Sequence, residues 1–162
     1  MILKPNSIPK IFLKPGEMHF AVNPTIVTTV LGSCIAVTMY SKELHTGAIC
    51  HAILPEELMT GDPYRYVDSS IRAMLQRFQR HGIKKESLEI KLFGGADILP
   101  PSGSDYRTTT VGKQNIFRAD EVIKWERLQL VASDVGGRQG RKLLFYTHSG
   151  EVYLQRLRDI TR

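Results

Sequence analysis

The chain is poor in cysteine, has one tryptophan, and offers no apolar run near the roughly 18 residues that a membrane helix needs. Two cysteines, Cys34 and Cys50, cannot build the disulfide framework of a secreted scaffold. Without a C-x-x-C pair they match neither a zinc ribbon nor a thioredoxin-like redox centre, so reduced thiols are expected. The N-terminus sets Lys4, Pro5, Pro9 and Lys10 before any sustained apolar stretch. That is not the pattern of a secretory leader, and a cytoplasmic protein without membrane insertion is expected. Repeats and low-complexity segments are missing too. With 42% hydrophobic and 23% charged residues the composition is that of a folded domain, which excludes a disordered chain.

Charge is only mildly one-sided. The 22 basic residues exceed the 16 acidic ones to give +6, which favours acidic partners by steering. The basic residues are scattered, however, and their densest group, Arg138, Arg141 and Lys142, is short. No basic stripe interleaved with aromatics is present, so nucleic acid is not an expected partner. A single domain over 1–162 can bury about 70% of its unfolded surface and needs no metal or disulfide staple. Residues 1–18, with Pro5, Pro9 and Pro15, read as an extended N-terminal arm.

Periodicity predicts the elements. The β-branched and apolar stretch 25–40 reads as two strands broken at Gly32-Ser33, and 47–54 as a third. Asp62-Pro63 is a helix entry and Gly82 an exit, and between them Val67, Ile71, Met74, Leu75 and Phe78 share one helical face. Leu88, Ile90 and Leu92 alternate with polar residues in a strand that ends at Gly94-Gly95. A polar loop with Pro100, Pro101 and Gly103 leads to a shorter helix over 119–128, on which Val122, Trp125 and Leu128 sit three apart. Strands follow at 129–135, 142–146 and 151–157, with Ser149-Gly150 as the last hairpin turn. About seven strands with two main flanking helices predict an α/β or α+β layered sandwich with a mostly β core. The glycine-rich stretch 136–141 lacks the Gly-Lys-Ser/Thr ending of a phosphate loop and reads as a turn.

The chemistry centres on Cys34, set at a glycine turn, and His51, in an apolar run. A free cysteine is often a small core filler and a lone histidine in an apolar strand a satisfied core residue. The turn before Cys34 favours a nucleophile instead, because backbone N–H groups there can hold an oxyanion. Successive strand side chains point to opposite faces, so Cys50 and His51 do not share a site and Cys34 is the better partner for His51. A zinc site drawn from Cys34, Cys50, His45 and His51 lacks close ligand spacing. A base needs an orienting group, and Thr28, Thr29 and Asp134 are all available in principle.

Six pieces, in order, resemble the CheD family of chemoreceptor glutamine deamidases. They are Leu13-Lys14-Pro15-Gly16-Glu17, Thr29-Val30-Leu31-Gly32-Ser33-Cys34, the run 47–55, Lys91-Leu92-Phe93-Gly94-Gly95-Ala96, Val111-Gly112 with Asn115, and Asp134-Val135-Gly136-Gly137 with Gly140-Arg141 and Ser149-Gly150 following. Cys50 stands where the family commonly has a small residue, and 112–115 departs from its Gly-x-Arg-Asn pattern. The resemblance implies a fold similar to the catalytic domains of glutamine-deamidating toxins. It implies Cys34 as nucleophile, His51 as general base and acid, Thr28 as the group that orients His51, and the backbone of Gly32 and Ser33 at the oxyanion, with no metal or organic cofactor. The implied reaction turns glutamines of methyl-accepting chemotaxis receptor helices into glutamates through a cysteine thioester, with glutamyl methyl-ester hydrolysis as a secondary activity. A CheC-type response-regulator phosphatase is the implied second partner. A non-catalytic adaptor that regulates that phosphatase is the alternative, though it has no need of the three side chains, and a cysteine peptidase is a weaker third reading.

Overall fold

Unbroken burial along two consecutive strands sets the architecture. Strands β4 (Ile35–Ser41) and β5 (Thr46–Ala52) are buried at every position, so both of their faces must be covered by other layers. The computed structural model, which describes residues 7–58, 61–98 and 109–158, supplies those layers. The other strands are β1 (Lys10–Phe12), β2 (Met18–Ala21), β3 (Ile26–Leu31), β6 (Leu88–Gly94), β7 (Gln129–Val135), β8 (Arg141–Tyr146) and β9 (Val152–Arg156). They form a five-stranded sheet in the order β2-β5-β4-β6-β7 and a four-stranded sheet in the order β1-β3-β8-β9.

Helices α1 (Val67–Arg80) and α2 (Val111–Trp125) cover one face of the five-stranded sheet. Under them lie Ile35, Val37 and Met39 of β4 and the small Ala48, Cys50 and Ala52 of β5, packed with Ile71, Met74 and Phe78 of α1 and Ala119, Val122 and Ile123 of α2. The other face meets the four-stranded sheet through Ala36, Ile49 and Phe93 on one side and Val27, Leu31, Leu143 and Phe145 on the other. The result is a mostly β, layered α+β sandwich with two flanking helices, as the alternation of the sequence predicts.

Differences from expectation lie at element ends. Asp62 caps a single 3-10 turn, Pro63–Arg65, by accepting from the Tyr64 N–H at 3.0 Å, and α1 begins only after Tyr66. Helix α2 starts at Val111 rather than at 119, capped by the Thr110 hydroxyl. Within 1–18, β1 pairs in parallel with β3, and the segment then runs into β2, which pairs antiparallel with β5. The first six residues and the loop around Pro100, Pro101 and Gly103 lie outside the described residues.

Candidate active site

Register and parity bring Cys34 and His51 to one face. In the β4–β5 pair Ile35 lies opposite Ala52 and Ala36 opposite His51, which makes Cys34, one step before β4, a diagonal neighbour of His51. Diagonal pairs stand about 7–8 Å apart at the backbone, within reach of side chains of this length. Period-two alternation puts Cys34 on the side of Ala36 and His51 on the side of Ile49. That shared side is the interior between the sheets, where Cys34 packs at the edge of the apolar cluster. Cys50 takes the opposite side, under the helices, as the parity argument predicts.

The imidazole is held by a relay that also fixes its tautomer. The Thr29 hydroxyl lies 2.8 Å from His51 Nδ1 and 2.8 Å from the Leu13 carbonyl oxygen. A carbonyl only accepts, so the single hydroxyl proton goes to Leu13 and the ring must donate from Nδ1 to Thr29 Oγ1. His51 Nε2 is then left with its lone pair, ready to take a proton. Residues 13–17 complete the cradle: Gly16 N–H donates to the His51 carbonyl at 2.8 Å and His51 N–H donates to the Glu17 carbonyl at 3.0 Å. Burial pushes the His51 imidazole down to about 4 and the Cys34 thiol up. Burial thus favours the neutral form of each group.

The turn that carries Cys34 is tied by its carbonyls. Gly32 C=O accepts from Ala96 N–H at 3.0 Å, Cys34 C=O from Gly95 N–H at 2.9 Å, and Ser33 C=O from Asn115 Nδ2 at 2.9 Å. No backbone hydrogen bond from the Gly32, Ser33 or Cys34 N–H groups is made among the described residues. Gly94 is required for this approach, because a Cβ there would lie 2.2 Å from the Cys34 carbonyl oxygen and its φ is +106°. Arg141, buried, braces the turn after β7 through Gly136 C=O at 2.8 Å and Asp134 at 2.7 Å.

The expectation for Thr28 needs correction, and two further candidate sets lie away from His51. Thr28, expected to orient His51, alternates to the outer face of β3, opposite Leu144 and beside Phe12, and its buried Oγ1 has no partner among the described residues; Thr29 holds the ring instead. Asp134 serves Arg141 and Arg156, not His51. Burial acts to raise its carboxyl, but the hydrogen bonds and charges of the two arginines prevail and hold it below the usual carboxylate range. The four-residue zinc set also separates, since Cys50 faces the helices and His45 bonds the Tyr40 hydroxyl at 3.2 Å.

Sequence reasoning missed the Leu13 carbonyl and Asn115, and left Thr29 as one of three choices. Val27 and Leu31 flank Thr29 at steps of two, and that alternation alone marks it as inward-facing. The two thiols differ in the same way. Burial, partly offset by hydrogen bonds from the Val37 backbone and the Ser70 side chain, pushes the Cys50 thiol up to about 12. Iodoacetamide at pH 8 should modify Cys34 first, with Cys50 roughly 100-fold slower until the chain unfolds. Peptide mapping of the folded protein checks this, and equal labelling of both would contradict the assigned faces.

Known proteins similar to this chain agree with each other. The family model described as CheD, chemotactic sensory transduction, matches residues 53–156, beginning just after His51. Relatives extend over more than nine-tenths of the chain. "Probable chemoreceptor glutamine deamidase CheD 2" of Geobacter sulfurreducens is 52% identical over 150 residues, 93% of this chain and 91% of that protein. "Probable chemoreceptor glutamine deamidase CheD" of Maridesulfovibrio salexigens is 42% identical over 94% of each chain, and the protein of that name in Pseudomonas fluorescens 32% identical over 94% of this chain and 87% of its own.

Proposed function

This chain belongs to the CheD family, and on that premise we propose that it deamidates glutamine side chains of chemoreceptor cytoplasmic helices to glutamate. The observation that carries the reading is the Leu13–Thr29–His51 relay, which leaves Nε2 as a base on the face that Cys34 shares. Both groups start neutral, so His51 takes the thiol proton as sulfur attacks the carboxamide carbon. The carbonyl oxygen gains negative charge and is met by backbone N–H groups of the Gly32–Cys34 turn. Collapse breaks the C–N bond, the proton on His51 passes to the departing nitrogen, and ammonia leaves a thioester on Cys34. Water, deprotonated by His51, then adds to the thioester carbon; glutamate is released and the thiol regains its proton.

The same acyl-enzyme serves glutamyl methyl esters, with methanol in place of ammonia. On the family likeness alone, a CheC-type phosphatase is the proposed docking partner. Purified protein incubated with a receptor cytoplasmic fragment should release ammonia and add about one dalton per converted glutamine, and Cys34→Ala should do neither. A folded wild type that binds the fragment, releases no ammonia and adds no mass would sink the deamidase reading and favour an adaptor. Fragment cleavage would point to a peptidase.

A further inference from the structure

We propose that Asn115 is the positioning residue of the oxyanion site, acting through the Ser33–Cys34 peptide; the inference rests on the deamidase reading and deepens it. Asn115 lies on the second turn of α2 and is fully buried. Its Nδ2 donates twice, to Ser33 C=O at 2.9 Å and to Ile53 C=O at 3.0 Å. One side chain thus ties the residue before the nucleophile to the strand end just past the base. Its Oδ1 is buried with no partner among the described residues.

The direction of the tie gives it a chemical consequence. A peptide bond is planar, and in its trans form C=O and N–H point to opposite sides. Holding the Ser33 carbonyl toward α2 therefore turns the Cys34 N–H away from the helix layer. Cys34 and His51 lie on that other face of the sheet, so the N–H is directed to the side where an oxyanion forms next to the sulfur. Donation to the carbonyl also polarises the same peptide, which strengthens its N–H as a donor. Close approach of α2 makes this possible: a Cβ on Gly112 would lie 2.5 Å from the Gly95 carbonyl oxygen and 2.7 Å from that of Ala96. Glycine at 112 lets the helix start press against the loop that borders Cys34.

The discriminating measurement compares two reactions of one thiol. Deamidation needs the thiol, the base and the oxyanion donors, whereas alkylation by iodoacetamide needs only the thiol and its base, because no oxyanion develops at a saturated carbon. Asn115→Ala should lower kcat on the receptor fragment about 10-fold with KM within about twofold. Its Cys34 alkylation rate and the pH profile of that rate should match wild type. Asn115→Ser carries the same readouts if the alanine variant does not fold.

Unchanged kcat in a folded variant, or a fall in alkylation parallel to the fall in kcat, overturns the inference; the second result would make Asn115 a structural tie for the Cys34–His51 pair. An inactive wild type would instead remove the deamidase reading and this inference with it. An active wild type with an equally active variant removes this inference alone.

Discussion

Thr29→Val should reduce kcat for glutamine deamidation roughly 100-fold, the low end of what a positioned general base contributes. Valine keeps the shape and strand preference of threonine, so the change removes a hydroxyl and little else. Without Oγ1 the His51 Nδ1–H has no acceptor and the Leu13 carbonyl has no donor. The ring is then free to move its proton to Nε2, the nitrogen that must be bare to accept from sulfur. Two buried polar groups are also left unpaired, which costs about 1–3 kcal/mol each. A melting curve must therefore accompany the kinetics. Thr29→Ser restores the hydroxyl and should return activity to within several-fold of wild type.

Thr28→Val is the decisive companion. Its Oγ1 makes no hydrogen bond among the described residues, so replacing it with a methyl group breaks nothing. Activity within about twofold of wild type and unchanged or slightly higher stability are expected, since an unsatisfied buried hydroxyl is itself unfavourable. Cys34 alkylation separates this variant pair from Asn115. Loss of the base slows alkylation in Thr29→Val, whereas loss of oxyanion alignment leaves it untouched. If Thr28→Val were the inactive variant and Thr29→Val the active one, the relay from Leu13 to His51 would not be the functional one.

What was legible in the sequence follows from where alternation and amphipathicity are strong. Cys34, Cys50 and His51 could be sorted between faces because β4 and β5 are regular and buried throughout, so parity holds across them. Helix α1 was legible because Val67, Ile71, Met74 and Phe78 form its buried stripe. The first half of α2 was not, and the reason is chemical: its buried positions there are Gly112 and Asn115, which carry no hydrophobic periodicity. Those residues are inward for close approach and hydrogen bonding, and the fully buried apolar positions begin only at Ala119, with Ile116 half-buried before it. Strands β1 and β2 were missed for a different reason. They are three and four residues long, and their partners β3 and β5 lie elsewhere in the chain, so pairing and not local preference makes them strands.

The choice between Thr28 and Thr29 shows how a motif and a register can diverge. Family resemblance selects a threonine six positions before the cysteine, whereas the sandwich interior selects by parity with Val27 and Leu31. Neighbours in a strand differ by a whole face, so one residue of offset decides whether a hydroxyl meets the imidazole or looks outward.

Acid should destabilise this protein through the same histidine. Burial disfavours the charged form of His51 and pushes it down to about 4 in the folded state, against 6.5 when exposed. Between those values the unfolded chain holds a proton on this ring that the folded chain refuses, so stability falls as pH drops from about 6.5 and the loss levels off near 4. Roughly 2.5 pH units of difference correspond to about 3 kcal/mol, of the same order as the whole margin of a weakly stable domain. Urea midpoints for wild type and His51→Gln, taken from pH 7.5 to 4, isolate this contribution. Glutamine does not titrate, and burial-shifted His19 is present in both chains and cancels. Wild type should lose about 3 kcal/mol more than the variant over that range. Parallel curves would mean that the folded ring takes up its proton as readily as the unfolded one, and the neutral base at the centre of the proposed mechanism would then require a more open site than the 2% exposure of His51 provides.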